Sequence, residues 1–464
     1  MKFHQTEKKV LSTLFNYNMI ARGDRIIVAV SGGPDSVCLL KILSKFQELL
    51  HFTIIAAHFD HGLRPGEDRK ETEFVYDIAT KFNLPFIYGR PEHAINRNGP
   101  SIEEKAREER YQFLKQTLEK QNSQKIALGH NMNDQAETVL IHFLRGTGIT
   151  GLSGMAAITK ENYIRPLLFV SSEEIRTYLN QNHTSFMIDS SNLDKRYLRN
   201  RLRLELIPQL LSYQPKLIQH LSNSAFVFRH EDEFLEKETQ KARKDMTNDS
   251  KKGKSLELSL HLLKKAPLPI KYRIIRQAIK KVKGDIRRID YSHITRIAGL
   301  LTNRKPQITI NLPEGLVVKK TYERLIFSSS GNDTCPAEIS YYLNNVGTFY
   351  IQETGQSIVL KEISKQDFSP YSVSKFVAFL DLDKIQWPVK IRNLRKGDKF
   401  IPLGLNGFKK VKNILIDNKV PIEDRKKTII FENNNDVIWI PGIRIDERYK
   451  IETYTKRILR CAIE

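Results

Sequence analysis

The sequence predicts an α/β protein in which a doubly wound parallel sheet is followed by a mainly helical domain and a small α+β C-terminal domain. In residues 25–165, short runs rich in β-branched residues alternate with longer segments of helical periodicity. Residues 216–300 show mainly helical patterns, and short strand patterns return after residue 334. Because strands that alternate with helices pack side by side under helical layers, we expect the first sheet to be parallel and covered on both faces.

The elements of the first domain follow in order along the chain. The predicted strands are residues 25–30, 51–58, 85–88 and 125–129. The predicted helices are residues 37–50, 68–82, 101–120 and 133–144. Ser101 and Glu104 have the spacing of a capping box at the start of the third helix.

Segments that contain Pro, Gly and Ser predict where the domain boundaries lie. Residues 199–211 are basic and apolar at helical spacing, and Pro215 ends this stretch. A Ser- and Gly-containing linker follows at residues 328–333, so we expect domains at 1–215, 216–333 and 334–464. Residues 245–255 are polar and Lys-rich, which predicts an exposed loop. The later predicted strands are residues 307–327, with a turn at 313–315, and residues 347–351, 357–363 and 436–439.

The charge of the chain favours a nucleic-acid partner. Its 464 residues include 75 Lys and Arg against 53 Asp and Glu, a formal net charge of +22. Such a surplus suits a polyanion, because neutralising phosphates releases condensed counterions. A basic surface that serves only solubility is the alternative.

Other features of the composition indicate a cytoplasmic protein. No run of about 18 apolar residues occurs, so we expect no membrane-spanning helix. Residues 1–20 have amphipathic spacing and predict a first helix rather than a signal peptide. Cys38, Cys335 and Cys461 are widely separated, which predicts neither a disulfide framework nor a clustered metal site.

A glycine-containing loop between the first strand and its helix is the most informative segment. It consists of Ser31, Gly32, Gly33, Pro34, Asp35 and Ser36. Backbone N–H groups at the start of a helix converge on one point, which suits a phosphate, and both serines can donate hydrogen bonds. Asp35 repels phosphate, so it is either a magnesium ligand or the partner of a nearby cation. The alternative is a glycine turn that binds nothing.

Polar residues stand where the next strands end. His58, Asp60 and His61 follow the second strand, and we expect His58 near an adenine, with Asp60 or His61 near ribose or phosphates. Arg107 and Arg110 share a helix face, which also fits a solvated charged helix.

Asp134 and Glu137 begin the helix after the fourth strand. Their spacing of three residues places both carboxylates on one side, where they suit an ammonium group. Capping of the helix by Asp134, with Glu137 exposed, is the competing interpretation.

Five segments in this order resemble the tRNA(Ile)-lysidine synthase family within the ATP pyrophosphatases. The segments are the loop SGGPDS, HFDHGLRP, SIEEKAREERYQFL, GHNMNDQAETVLIHFLRGTGITGLSGM and DSSNLDKRYLRNRLRLELIP. The resemblance covers residues 25–208 and resumes in LRKGDKFIPLGLNGFKKVKNILIDNKVPIEDR and IWIPGIRI. It implies an enzyme that adenylates the C2 oxygen of the wobble cytidine in the CAU anticodon of tRNA(Ile). The amine of lysine then displaces AMP.

The resemblance also implies roles for individual residues. It places ATP at residues 31–36 and His58, with Asp35 helping to hold Mg²⁺. Its catalytic residues correspond to Asp35, Arg110 and His130, and its lysine-binding residues to Asp134 and Glu137. Arg199, Arg201 and Arg203 fall near the target base and the tRNA phosphates. The expected partners are the tRNA, free L-lysine and, in a homodimer, a second copy of the chain.

A compact basic run near the C-terminus is a second candidate tRNA contact. It contains Lys409, Lys410 and Lys412. Because methionine tRNAs share the CAU anticodon, an enzyme of this kind needs a contact region away from it. A solvated lysine face is the alternative.

Three other functions share some of these features. Synthetases that act on small molecules use the same loop but need no +22 charge. A tRNA thiolase needs paired cysteines, and this sequence has no C-x-x-C. An RNA-binding protein with an inactive loop would not need the residues Asp35, Arg110, His130, Asp134 and Glu137 together.

Overall fold

The computed structural model describes residues 3–62, 66–91, 102–188, 194–249, 255–329, 338–366, 368 and 374–464. The chain forms two compact units, Met1–Glu236 and Lys237–Glu464. Among the described residues, no helix is both long and apolar enough to span a bilayer.

The first unit contains the predicted parallel sheet. Its strands are β1 (Arg25–Ala29), β2 (Thr53–Phe59), β3 (Phe86–Gly89), β4 (Lys125–Ala127) and β5 (Tyr163–Ile164). They lie side by side in the order β3-β2-β1-β4-β5, and every neighbouring pair is parallel. The chain therefore builds outward from β1 in one direction and then from β4 in the other. This is the doubly wound arrangement that the sequence predicts.

Helices cover both faces of this sheet. The helices of this unit are α1 (Gln5–Asn16), α2 (Pro34–Leu50), α3 (Glu67–Lys81), α4 (Ile102–Lys120), α5 (Met132–Leu144), α6 (Ile149–Leu152), α7 (Ser172–Gln181), α8 (Leu198–Arg201) and α9 (Ile207–Tyr213). Successive side chains of β1 point to opposite faces. Ile26 and Val28 join a core with α1, α2, α3 and α7, whereas Ile27 packs with Leu114 of α4.

Two predicted boundaries in this unit shift for local reasons. α2 begins at Pro34, three residues before the predicted start, because proline is favoured at the first position of a helix. β2 begins at Thr53 rather than residue 51, because His51 ends α2 with a left-handed φ of 53°. Ser101, the predicted cap of α4, lies outside the described residues.

A π turn and a long helix follow the sheet of the first unit along the chain. The π turn, Leu202–Leu206, joins α8 to α9, and helix α10 (Leu217–Lys244) contains the division at residues 236 and 237. The domain boundaries expected at residues 215 and 333 stay predictions.

The middle of the chain contains the predicted helices together with a five-stranded antiparallel sheet. The elements are β6 (Thr247–Asp249), β7 (Ser255–Ser259), α11 (Leu260–Lys265), α12 (Leu268–Lys283), α13 (Tyr291–Gly299), β8 (Gln307–Asn311), β9 (Leu316–Thr321) and β10 (Arg324–Ser329). The prediction of a loop over residues 245–255 is wrong at both ends of this range. Thr247–Asp249 form β6, which pairs with β7, and β7 begins at Ser255. β6 lies at the edge of its sheet, and a polar sequence is compatible with an edge strand, which has a neighbour on one side only.

The C-terminal part is built mainly from antiparallel strands. They are β11 (Ser340–Leu343), β12 (Gly347–Ile351), β13 (Gln356–Ser364), β14 (Val377–Asp381), β15 (Val389–Asn393), β16 (Lys399–Phe400), β17 (Lys409–Lys410), β18 (Ile429–Asn433), β19 (Asp436–Ile440), β20 (Arg444–Ile445) and β21 (Arg457–Ile463). Two short helices, α14 (Val411–Asp417) and α15 (Ile422–Lys427), lie between β17 and β18. Sheets ordered β11-β15-β18-β19-β20 and β12-β13-β21-β14 share one apolar core. The predicted α+β class is confirmed here.

Candidate active site

The loop between β1 and α2 has the conformation of an anion-binding turn. Gly32 has a φ of +83°, which favours glycine. The hydroxyl of Ser36 donates to the Gly33 carbonyl at 2.9 Å and accepts from the backbone N–H of Ser31 at 3.1 Å. Within the described residues, no side chain caps the N-terminus of α2. The first N–H groups of this 17-residue helix are therefore available to a phosphate.

The loop after β4 packs directly against the loop after β1. β1 and β4 are neighbours at the point where the strand order reverses, and ligands of doubly wound sheets bind there. A Cβ atom at Gly129 would lie 3.1 Å from the nitrogen of Ser36 and 3.2 Å from the carbonyl carbon of Asp35. A side chain here would press against backbone atoms, so this close approach favours glycine. The sequence analysis did not identify Gly129, although a glycine directly after a strand end was the available signal.

Asn131 links the two loops and was also missed. Its Nδ2 donates to Oδ1 of Asp35 at 2.9 Å and to the hydroxyl of Ser172 at 3.1 Å. Its Oδ1 accepts from the backbone N–H groups of Asn133 and Asp134. Asn131 is therefore the N-cap of α5, while Asp134 completes the capping box by accepting from the Asn131 N–H at 3.0 Å.

Asp35 lies in surroundings that oppose its negative charge. Burial, and then the nearby carboxylate of Asp134, raise the pKa of Asp35 to about 6. The hydrogen bond from Asn131 and the charge of Arg203 act in the opposite direction. A cation beside Asp35 would offset this cost.

Asp134 and Glu137 form a four-membered ionic cluster with Arg199 and Arg203. Nε of Arg199 lies 2.7 Å from Glu137 and Nη2 lies 3.0 Å from Asp134. Nε of Arg203 lies 2.6 Å from Glu137 and Nη2 lies 3.3 Å from Asp134. Only 1% of the Glu137 side chain is exposed, so this carboxylate is not on a solvated helix surface. The guanidinium groups of Arg199 and Arg203 occupy the position at which the sequence analysis expected an ammonium group.

Arg201 does not join this cluster. It lies between Arg199 and Arg203 in sequence but points away, with a side chain that is 60% exposed. Its nearest ionic partner is Glu205 at 4.0 Å. Residues four apart share a helix face, whereas a residue midway between them does not.

His58 lies buried beneath the nucleotide loop. Nδ1 is 2.8 Å from the carbonyl oxygen of Val30, which can only accept, so Nδ1 carries the proton. Burial lowers the pKa of His58, which favours the neutral ring. Nε2 is then an acceptor, and it has no hydrogen-bond partner among the described residues. The neighbouring carboxylate of Asp60 accepts from the Tyr88 hydroxyl at 3.0 Å.

His130 and Arg110 lie in an arginine-rich part of the same site. Burial, followed by the charges of Arg165, Arg199, Arg110 and Arg107, lowers the pKa of His130 well below its usual value. Nε of Arg165, a residue that the sequence analysis did not identify, donates to Nδ1 of His130 at 3.3 Å.

Helix α4 supplies the other two arginines. The guanidinium groups of Arg107 and Arg110 lie 5.0 and 5.6 Å from the centre of the Tyr111 ring. Burial lowers the pKa of Arg110, because desolvation disfavours its charged form.

The basic run in the second unit is fully exposed. Lys409 and Lys410 form β17, and Lys412 lies in the first turn of α14. Nearby, the exposed Phe408 ring has Lys399 at 5.0 Å and Arg448 at 5.3 Å from its centre. Cationic and aromatic side chains together are typical of nucleic-acid surfaces.

The cysteines do not form a thiol pair in the described part of the chain. Cys38 and Cys461 are free and buried, and burial raises the pKa of each thiol. Cys335 lies outside the described residues. These features give no support to the thiolase alternative.

Comparisons with known proteins agree with this geometry. A family model described as a PP-loop domain matches residues 3–210, and one described as a TilS substrate C-terminal domain matches residues 389–461. A tRNA(Ile)-lysidine synthase of Clostridioides difficile is 33% identical over 458 residues, which cover 97% of this chain and 98% of that protein. One of Clostridium tetani is 34% identical over 469 residues, which cover 98% of this chain and 97% of that protein. The chain therefore belongs to the tRNA(Ile)-lysidine synthase family.

Proposed function

We propose that this chain uses ATP to ligate free L-lysine to C2 of the wobble cytidine in the CAU anticodon of tRNA(Ile). The products are lysidine in the tRNA, AMP and pyrophosphate, and the tRNA changes its codon and amino-acid specificity from methionine to isoleucine. One observation carries the proposal. An anion-accepting loop and the paired carboxylates Asp134 and Glu137 meet at the ends of β1 and β4. The loop suits the phosphates of ATP, and the carboxylates suit an amine.

In the first step, the C2 carbonyl oxygen of cytidine forms a bond to the α-phosphorus of ATP, and pyrophosphate leaves. Residues 31–36 and the N-terminus of α2 would hold the phosphates. Nε2 of His58 suits the exocyclic amino group of adenine as a hydrogen-bond acceptor. Arg110 and His130 would face the transferred phosphoryl group, where fixed donors stabilise developing charge. The target base leaves the anticodon stack at small cost, because the anticodon loop is single-stranded.

Mg²⁺ belongs to the proposal as the ion that accompanies ATP. Asp35 fits this ion, because its partly buried carboxylate has a pKa raised to about 6 and gains from a neighbouring cation. The described residues contain no group of three or more metal-binding side chains. That agrees with Mg²⁺, which is often held by one or two carboxylates together with substrate phosphates and water. When bound, the ion would neutralise charge on the leaving pyrophosphate.

In the second step, the amine of lysine forms a bond to C2, and the bond from C2 to the AMP oxygen breaks. Asp134 and Glu137 would bind the lysine. The amine must lose its protons, and burial raises the pKa of Asp134, so this carboxylate is a better base than a solvated one.

The ionic cluster imposes an order on substrate binding. The charges of Asp134, Glu137, Arg199 and Arg203 sum to zero, so lysine would add a positive charge to a neutral cluster. A phosphate of tRNA would draw one guanidinium away and leave a carboxylate for the ammonium group. We therefore expect tRNA to bind before lysine.

A cytoplasmic location and a homodimer are also part of the proposal. Sedimentation of the purified protein tests whether it is a homodimer.

Release of pyrophosphate from ATP tests the reaction. With tRNA(Ile) present, we expect adenylation without lysine and full conversion to lysidine with it. Asp134→Asn should raise the lysine concentration needed by about tenfold or more, while adenylation in a lysine-free assay stays largely intact. An equal loss of adenylation would count against the lysine site. No tRNA-dependent pyrophosphate release from the wild-type protein would reject the function itself.

A further inference from the structure

Arg165 is a buried cation that has no carboxylate partner in the described part of the chain. It follows β5 directly and is 8% exposed. Across the described residues, none of its nitrogen atoms lies within ion-pair distance of an Asp or Glu. Burying an unpaired charge is costly, so the other contacts of Arg165 must offset this cost.

The contacts of Arg165 fix both ends of its guanidinium group. Nη1 donates to the carbonyl oxygen of Ala156 at 2.7 Å, and Nε donates to Nδ1 of His130 at 3.3 Å. Tyr111 lies close enough to favour the charged form of the same side chain. Arg165 is therefore held in one orientation, with a single N–H directed at the imidazole.

This hydrogen bond determines which nitrogen of His130 carries the proton. A guanidinium group can only donate, so Nδ1 of His130 must offer a lone pair. In the neutral ring the remaining proton is then on Nε2. A second proton on Nδ1 would point at the N–H of Arg165.

The charged groups around His130 act in the same direction. Arg165 after β5, Arg199 on α8, and Arg107 and Arg110 on α4 all disfavour a positive imidazole. The carboxylates of α5 that could oppose them are paired with Arg199 and Arg203.

We propose that Arg165 is a positioning residue that holds His130 as a neutral imidazole with its Nε2–H directed to the reacting groups. This inference rests on the proposed function. The Nε2–H donates a hydrogen bond to an oxygen of the transferred phosphoryl group or of the cytidine carbonyl, and it is not given up, because a neutral imidazole is a very weak acid. His130 does not accept the proton of the lysine amine, so that proton goes to a carboxylate.

The tautomer can be measured without enzyme activity. In ¹⁵N spectra that correlate ring nitrogens with ring protons, His130 is assigned by the signals that disappear in His130→Gln. We expect an unprotonated Nδ1, a protonated Nε2 and no titration near the ordinary imidazole pKa of about 6.5. In Arg165→Met the proton should be shared between Nδ1 and Nε2, and the pKa of the ring should rise relative to wild type, although burial and the other three arginines still lower it. A wild-type ring protonated on Nδ1, or an unchanged titration in the variant, would overturn the inference.

Arg229→Met is the matched control. Arg229 is a half-buried arginine of the same unit that donates to the carbonyls of Ser153 and Gly154, close in sequence to Ala156. It should leave the signals of His130 unchanged. Arg165→Lys retains the charge with a different geometry, so it gives a second measurement if Arg165→Met does not fold.

Kinetics give a second readout. Arg165→Met should lower kcat for adenylation by about 10- to 100-fold, with KM for ATP and tRNA nearly unchanged, and this loss should deepen as the pH falls. A loss that is equal at every pH would indicate a structural role only and overturn the inference. If wild-type protein shows the expected tautomer but releases no pyrophosphate with tRNA, the proposed function fails and the assignment of the tautomer stands.

Discussion

Asp35 shows at the scale of one residue how a functional group can oppose folding. Its pKa in the folded state, about 6, lies above the model-peptide value of 3.8. The ionised carboxylate is therefore less favourable in the folded protein than in the unfolded chain. This cost is absent below about pH 4 and complete above about pH 6, because only ionised Asp35 is penalised.

Replacement of Asp35 by asparagine should separate stability from activity. Asp35→Asn removes the charge and keeps an amide oxygen that Asn131 can bond. We expect pyrophosphate release to be lost while the free energy of unfolding rises by up to about 3 kcal/mol at neutral pH, an upper limit because Asp35 is only partly buried. Thermal melting in a chelator at several pH values measures this, and the gain should vanish toward about pH 4.

Asp77→Asn is the control for this change, because Asp77 is an exposed residue of α3. It should alter neither property. A lower stability of Asp35→Asn than of wild type at neutral pH would contradict the environment described for Asp35.

At the scale of secondary-structure elements, Gly129 allows the β4–α5 loop to lie close to the start of α2. Gly129→Ala places a Cβ atom 3.1 Å from the nitrogen of Ser36, which is backbone and cannot move aside alone. We expect the free energy of unfolding to fall by about 1–3 kcal/mol and KM for ATP to rise, because the loops move apart. Chemical denaturation and pyrophosphate release measure the two effects.

Gly148→Ala provides the comparison. Gly148 has a φ of −77° and no atom within 4 Å of an added Cβ. A change of about 0.5 kcal/mol or less is expected there. Equal effects of the two substitutions would show that the close approach at Gly129 is unimportant.

The segment from α8 through the π turn directs Arg199 and Arg203 onto α5. Because these cations occupy the proposed lysine site, Arg203→Gln should strengthen binding of free lysine without tRNA, by about tenfold. It should also weaken tRNA-dependent adenylation. Isothermal titration with lysine measures the first effect.

Arg201→Gln makes the same charge change two residues away on an exposed side chain. Lysine binding should be unchanged in this variant. If Arg201→Gln strengthens lysine binding as much as Arg203→Gln does, the effect arises from the loss of a nearby positive charge and not from occupation of the lysine site by Arg203.

At the scale of the whole molecule, the basic run of the second unit should act on full-length tRNA only. Lys409, Lys410 and Lys412 changed together to alanine should weaken tRNA binding. The slope of log affinity against log salt should flatten by up to about three units. Phosphate contacts outside the anticodon explain this, so an isolated anticodon stem-loop should be a poor substrate that is nearly indifferent to the change.

The same three positions changed to arginine retain the charge and should bind tRNA as wild type does. Unchanged affinity and salt slope in the alanine variant would show that the run is a solvated lysine face.

The class of the first domain and the residue types of its site were predictable from the sequence. β-Branched runs at βα spacing predicted β1 to β4, and the strand–glycine–helix context predicted the loop at residues 31–36. These signals are local, so they are visible within about 10 to 20 residues. The family could also be recognised from the sequence, because its motifs in the N-terminal half keep their order and spacing.

How those residues contact one another depends on the folded chain and was not predictable from the sequence. The preference for glycine at Gly129 arises from the backbone of Ser36. Glu137 is paired with Arg199 and Arg203, which lie more than 60 residues later. Arg165 gains its contact with His130 through the pairing of β4 with β5. Contacts between residues far apart in sequence leave no periodic pattern, because each depends on two segments folding against one another. For that reason the sequence supplied the chemical groups, and the fold decided which of them are paired, neutral or charged.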